Sequence, residues 1–256
     1  MPALHPDFLR APLAHRAYHD MAKGRPENSI EAIRAAVDAG YGIEIDIQPS
    51  ADAVPMVFHD YELARLTGQQ GKISSLSAAA LARLPLIGGG EGVPTLARVL
   101  AEVAGRVPLL IEIKDQSGTS GPEVGALEGA VAKVLAGYAG PVAVMSFNPH
   151  SVAAFHAHAP GIAVGLTTAA YQPEDYPELL GAVCDHLRDI RDYDRVSASF
   201  ISHEASDLAR PRVADLKAAG AKVLCWTIRS PEAEAKAREV AHNITFEGYA
   251  AARPGA

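Results

Sequence analysis

Short β-branched or apolar runs alternate along this chain with longer Ala-, Leu-, Val- and Glu-rich segments at helical spacing, the rhythm of an α/β protein with a parallel sheet. Strand-like runs fall near 12–16, 42–48, 54–59, 107–114, 141–147, 162–167, 195–200, 222–228 and 243–247. Helical patterns fit near 28–39, 77–83, 94–104, 120–137, 149–158, 175–187, 205–219 and 231–241. The run 54–59 follows 42–48 after only five residues, whereas a parallel neighbour needs a crossover of about a dozen or more. It therefore reads as a hairpin return. Removing it leaves eight strands with intervening helices in 256 residues, the size of a TIM (β/α)8 barrel with a small hairpin and loop insertion after the second strand, about residues 54–93.

No composition break or Pro/Ser-rich linker divides the chain, so one domain over 1–256 is expected. The irregular stretch 60–93 ends in Gly88-Gly89-Gly90-Glu91-Gly92, which lacks the Lys-Ser/Thr of a phosphate-binding loop. It reads as a flexible connection, and at a barrel mouth such a loop would serve as a lid.

The net charge of −7 excludes an extended basic surface for nucleic acid or anionic membrane. Two cysteines, Cys184 and Cys225, make neither a disulfide scaffold nor a C-x-x-C site. No window is apolar enough for a membrane span, and the first residues lack the pattern of a signal peptide, so the expected compartment is the cytoplasm.

The chemistry concentrates at strand ends. In Ile43-Glu44-Ile45-Asp46-Ile47-Gln48 the isoleucines share one face and Glu44, Asp46 and Gln48 the other. In a barrel the isoleucines face the covering helices, so the carboxylates point inward, where charge persists only if paired or metal-bound. Leu110-Ile111-Glu112-Ile113-Lys114 repeats the pattern. Glu44, Asp46 and Glu112 in one low-dielectric mouth would repel each other into protonation without a cation. Oxygen-only ligands suit one Mg²⁺ or Ca²⁺, with Mn²⁺ also acceptable.

His15 closes the first apolar run and is followed by Arg16; His59 closes Val54-Pro55-Met56-Val57-Phe58 and is followed by Asp60, a partner able to orient its ring. Two imidazoles on opposite sides of a bond supply a base and an acid near neutral pH. Three carboxylates, a divalent cation, Arg16 and Lys114 leave a small positive excess, which a monoanionic phosphodiester balances. The residues alone also leave room for a barrel aldolase or isomerase using the cation on an enolate, and for a catalytically silent barrel that binds phosphodiesters.

The motifs His15-Arg16, Pro26-Glu27-Asn28-Ser29, Glu44-Ile45-Asp46, His59-Asp60 and Glu112-Ile113-Lys114 resemble, in order and spacing, those of the glycerophosphodiester phosphodiesterases. Leu63-x-Arg65-x-Thr67-Gly68, Pro94-Thr95-Leu96, Ser146-Phe147, Trp226-Thr227 and Ile244-Thr245-Phe246-Glu247-Gly248 are weaker echoes, and the likeness spans about residues 12–249. The resemblance implies a TIM barrel with an insertion after the second strand, and metal-dependent hydrolysis of a small-molecule glycerophosphodiester to glycerol 3-phosphate and an alcohol. Lysophospholipid or sugar phosphodiesters remain alternatives. Carried over by motif, His15 and His59 are the acid/base pair, Glu44, Asp46 and Glu112 the metal ligands, and Arg16 and Lys114 phosphate contacts, with Trp226 lining the alcohol side of the pocket.

Phe147 and Phe246 also fall near strand ends, where core packing is an aromatic's commoner fate. Asn28-Ser29 is explained as a helix N-cap. The chain departs from the family pattern in carrying Ala17 after His15-Arg16, and Ala53 in the turn before His59, where glycine is usual. Both places imply φ > 0 or a close backbone approach.

Overall fold

The computed structural model describes residues 2–253. Along the chain run β1 (Leu13–Ala14), α1 (Ile30–Ala39), β2 (Gly42–Pro49), β3 (Pro55–Val57), α2 (Ala64–Thr67), α3 (Ala78–Leu81), α4 (Leu96–Val103), β4 (Leu109–Ile113), α5 (Ala126–Leu135) and β5 (Val142–Ser146). They continue with α6 (Pro149–His158), β6 (Ala163–Thr168), α7 (Gly181–Arg188), β7 (Phe200–Glu204), α8 (Pro211–Ala218), β8 (Lys222–Ile228), α9 (Pro231–Ala237) and β9 (Asn243–Phe246). All the strands except β3 pair in parallel, and β1 joins both β9 and β2, closing the expected eight-stranded barrel. β3 returns antiparallel along β2, with Ile47 opposite Val57 and Pro49 opposite Pro55.

Alternation along the strands separates two apolar layers. Ile43, Ile45, Ile47, Ile111, Val164, Ile201, Val223 and Ile244 face the helices, where they pack with Ile33, Val99 and Val213. Leu13, Leu110, Ala143, Met145, Ala163, Phe200 and Leu224 fill the barrel interior. A short 3-10 turn, Pro6–Leu9, adds Phe8 to that inner layer and plugs the N-terminal end of the barrel. Asn243 holds the plug by donating to the Phe8 and Ala11 carbonyls at 2.7 Å each. Packing there is shape-specific: a Cβ on Gly165 would lie 2.5 Å from the Phe200 ring, so glycine on β6 makes the room that phenylalanine on β7 occupies.

One strand, three helix starts and the glycine cluster differ from the sequence reading. The strand read at 195–200 begins instead at Phe200, because Arg195 pairs with Asp192 and Ser197 turns at φ 56°, ending the apolar run in a loop. The helices read at 120–137, 175–187 and 205–219 start later, at Ala126, Gly181 and Pro211. A loop wraps Asp115 before the first of these, and proline at the first helical position sets the last. The glycine cluster 88–92 lines neither cavity at the mouth. Gly90 and Glu91 donate backbone N–H to Glu31 at 2.8 and 3.2 Å, so the segment is pinned to α1.

Both departures from the family glycines keep left-handed backbone, with φ 66° at Ala17 and φ 59° at Ala53. A Cβ in that region costs roughly 1–2 kcal/mol, offset in part by the lower unfolded-chain entropy of alanine. Ala53 is exposed at the hairpin tip, so Ala53→Gly is expected to stabilise the fold by about 0.5 kcal/mol, read as a higher urea midpoint at unchanged m-value.

Candidate active site

The C-terminal ends of the strands gather His15, Arg16, Glu44, Asp46, His59, Glu112, Lys114 and Trp226 around one cavity of about 200 Å³. All eight sequence-read site residues meet there. Each carboxylate of the cluster is buried, with Glu44 and Asp46 2% exposed and Glu112 6%. One oxygen from each lies within 4.8 Å of the others.

The backbone around His15 is bent to serve this cluster. Arg16 and Ala17 both have positive φ, which turns the Arg16 N–H onto Glu44 Oε2 at 2.9 Å. Asn28 donates through Nδ2 to Asp46 Oδ2 at 3.0 Å, while Ser29 alone caps α1 by accepting from the Ala32 N–H. Asn28 is therefore a site residue, and the reading of Asn28-Ser29 as a helix cap holds only for Ser29. Lys114 Nζ lies 2.7 Å from Glu112 Oε1 and 3.5 Å from Asp46 Oδ1.

These contacts divide the charges. Burial would raise Asp46, but Lys114, His59, Arg16 and the Asn28 bond outweigh it and hold the carboxyl below the usual range. For Glu44 the balance is reversed: burial, then Asp46 and Glu112, outweigh the Arg16 N–H bond and charge and push it well above the ordinary carboxylate value. The all-oxygen donor set, with one carboxylate whose ionisation is disfavoured by its neighbours, fits a hard divalent cation.

Each imidazole is backed by a carboxylate. His15 Nδ1 lies 2.6 Å from Glu247 Oε2, just past β9, and Glu247 also receives Arg229 Nε at 2.8 Å and faces His19 Nε2 at 3.6 Å. The hydrogen bond from His15, with His19 close by, holds the Glu247 carboxyl well below its usual range. His59 Nδ1 lies 2.7 Å from Asp60 Oδ1, and Gln48 on β2 donates to the His59 carbonyl at 3.2 Å. Burial, aided by Lys114 and Arg16, lowers the His59 pKa despite the opposing pull of Asp46 and Asp60.

A further network joins the two sides. Arg65 on α2 donates to Asp60 at 2.7 and 2.9 Å and to Glu27 at 2.9 and 2.7 Å. Glu27 in turn accepts from Arg16 Nη1 at 2.9 Å, while the buried Arg16 Nε has no hydrogen-bond partner. Glu247, Arg65, Glu27 and Asn28 all stood within recognised motifs, but apart from Asp60, five residues before Arg65, their partners lie 11–232 residues away along the chain, so no local pattern indicated their roles.

The aromatics part company. Phe147 and Trp226 stack edge-to-face at 5.5 Å on the cavity wall, with Trp226 Nε1 donating to the Ser202 carbonyl. Phe246 packs behind the barrel against Tyr41, at 4.8 Å between ring centres, and does not line the pocket. A second cavity of about 500 Å³ shares the His59, Glu112, Lys114 and Phe147 wall and continues outward past Tyr61, Tyr171 and Tyr176.

Comparison with known proteins bears on this arrangement. Residues 15–243 match the glycerophosphoryl diester phosphodiesterase family model. YhdW of Bacillus subtilis is 26% identical over 88% of each chain. The glycerophosphodiester phosphodiesterase of Caldanaerobacter subterraneus is 30% identical over 60% of this chain and 65% of its own. Among solved structures, a phosphodiesterase of Oleispira antarctica, in complex with the product sn-glycerol 3-phosphate, superposes with a TM-score of 0.76 at 25% identity, over 94% of this chain and 93% of that one. With motifs, barrel and a match over nearly the whole length in agreement, this chain belongs to the glycerophosphoryl diester phosphodiesterase family.

Proposed function

We propose that this protein hydrolyses glycerophosphodiesters to glycerol 3-phosphate and an alcohol, assisted by one divalent cation and an acid/base pair of histidines. The observation that carries this reading is the gathering, in the lining of one small cavity, of two carboxylate-backed imidazoles and a buried three-carboxylate cluster with Arg16 and Lys114 beside it. We further propose that 1–256 works as one unit, because the insertion supplies His59, Asp60 and Arg65 to a site otherwise built on barrel strands.

Glu44, Asp46 and Glu112 would hold the cation, and Mg²⁺, Ca²⁺ and Mn²⁺ all suit their oxygen ligands. When bound it supplies positive charge that offsets the carboxylates and draws electron density from a phosphoryl oxygen. Arg16, whose Nε makes no hydrogen bond but faces Asp46 Oδ2 at 3.6 Å, and the Lys114 ammonium are donors for the remaining phosphoryl oxygens. With Nδ1 engaged by Glu247, His15 presents Nε2 to remove a proton from the attacking hydroxyl, either water or the neighbouring glycerol hydroxyl. With Nδ1 engaged by Asp60, His59 presents Nε2 to protonate the departing alkoxide. If the glycerol hydroxyl attacks, the product of this step is a cyclic phosphate, and water opens it in a second step with the two imidazoles exchanging roles.

The direct test is release of choline from glycerophosphocholine by the purified protein with Mg²⁺, Ca²⁺ or Mn²⁺. No release from any glycerophosphodiester under these conditions overturns the reading. Among the described residues no helix is long and apolar enough to cross a membrane.

Arg65 carries a separate prediction as a positioning residue, since it touches Asp60 and Glu27 but does not line the 200 Å³ cavity. Arg65→Ala is expected to lower kcat by roughly 10-fold on an alkyl diester, and by less on bis(p-nitrophenyl) phosphate. Nitrophenolate leaves without a proton, so misplacing His59 costs little there. Equal losses on both substrates would place its effect on Arg16, through Glu27, or on folding, and not on His59.

A further inference from the structure

Three hydroxyls lining the small cavity stand out because nothing in the fold uses them. Thr167 on β6, Ser202 on β7 and Thr245 on β9 line this cavity at 2%, 0% and 1% exposure. Their side-chain oxygens have no hydrogen-bond partner. A buried polar group without a partner costs stability, so three in one cavity wall call for a reason.

Strand alternation points them inward. Their neighbours Leu166, Ile201, Ile244 and Phe246 pack on the helix side, leaving Thr167, Ser202 and Thr245 on the inner face. The carboxylates, on β2 and β4, and Lys114, just past β4, line other parts of the same cavity. A hydroxyl donates and accepts at once, so its natural partner is another hydroxyl. With Arg16 and Lys114 already in the same lining to meet an anionic group, the ligand part that fits three such hydroxyls in about 200 Å³ is a small polyol.

We propose that Thr167, Ser202 and Thr245 form the subsite for the hydroxyl groups of the glycerol moiety. The inference rests on the glycerophosphodiester reading and adds an orientation to it. Glycerol lies inward against β6, β7 and β9, and the departing alcohol extends into the 500 Å³ cavity. His59 lines both cavities and so stands on the side from which the alcohol leaves.

The test uses Thr167→Val, Ser202→Ala and Thr245→Val, which remove a hydroxyl with little change of shape. For each variant, kcat/KM is measured on glycerophosphocholine and on bis(p-nitrophenyl) phosphate, which has no hydroxyls. The ratio of the two is expected to fall ~3–10-fold per variant, the loss of one net hydrogen bond, and the inhibition constant of glycerol 3-phosphate should rise in step relative to inorganic phosphate. The unfolding midpoint of the ligand-free variants should stay level or rise, because each change removes an unpaired buried group. An unchanged ratio, or equal losses on both substrates with a lowered midpoint, would reduce the hydroxyls to barrel structure and overturn the proposal. If the unsubstituted protein cleaves bis(p-nitrophenyl) phosphate but no glycerophosphodiester, the activity reading itself fails, a result separable from any variant.

Discussion

Replacing His59 with alanine is expected to lower kcat on an alkyl glycerophosphodiester by at least ~100-fold while leaving the unfolding midpoint nearly unchanged. The side chain is 30% exposed and its nearest polar contact is Asp60, so little packing is lost. What is lost is the proton for the departing alkoxide, and His15→Ala should be as damaging through loss of the base. The pH profile separates this role from a structural one. An acid must carry its proton, so the rate falls as pH rises through its pKa. Burial, with Lys114 and Arg16, lowers that pKa in the free protein. A bound phosphodiester anion offsets those two cations and lets the proton be held to higher pH. The alkaline limb of kcat should therefore lie at higher pH than that of kcat/KM, and both should vanish with His59. Near-normal activity in His59→Ala would remove the assignment.

Most of this arrangement could be read in the sequence because strands impose a two-residue period. The isoleucines flanking Glu44 and Asp46 need a helix-covered face, which forces the carboxylates inward. The short spacing to β3 likewise required a hairpin. Readings failed where the deciding partner is remote. Asn28 stands beside a good N-cap serine, but its left-handed backbone, φ 59°, turns its amide onto Asp46. Glu247 lies 232 residues from His15 and meets it only because the barrel closes β9 against β1. The strand at 195–200 was misplaced because Val196 and Ala198 are buried against helices in a loop, which burial alone does not distinguish from a strand. The glycine cluster looked mobile by composition, yet Gly92 is held so close that a Cβ would lie 2.2 Å from the Ala82 carbonyl oxygen.

Chelation is expected to have the other large effect, abolishing at least ~1,000-fold of the activity, since a cation contributes several kcal/mol of charge stabilisation in such a site. Activity alone would not show that the ion sits on these three carboxylates, but stability against pH does. Glu44 is held well above its ordinary value by burial and then by Asp46 and Glu112. A group raised in the folded state contributes stability that is present at low pH and lost as pH rises through the folded value, because the buried site must then carry a third negative charge. In EDTA the protein should therefore lose stability over that window. Saturating Mg²⁺ or Ca²⁺ should restore it by about 2.7 kcal/mol at a hundred times the dissociation constant, roughly 5–10 °C in Tm. Binding displaces the Glu44 proton, so the restored increment must grow as pH rises. Glu44→Gln removes the ionisable group and one ligand together, and should flatten both the pH dependence and the cation response. If EDTA leaves turnover intact, or the cation shifts the midpoint of Glu44→Gln as much as that of the parent, the carboxylate cluster is not the cation site.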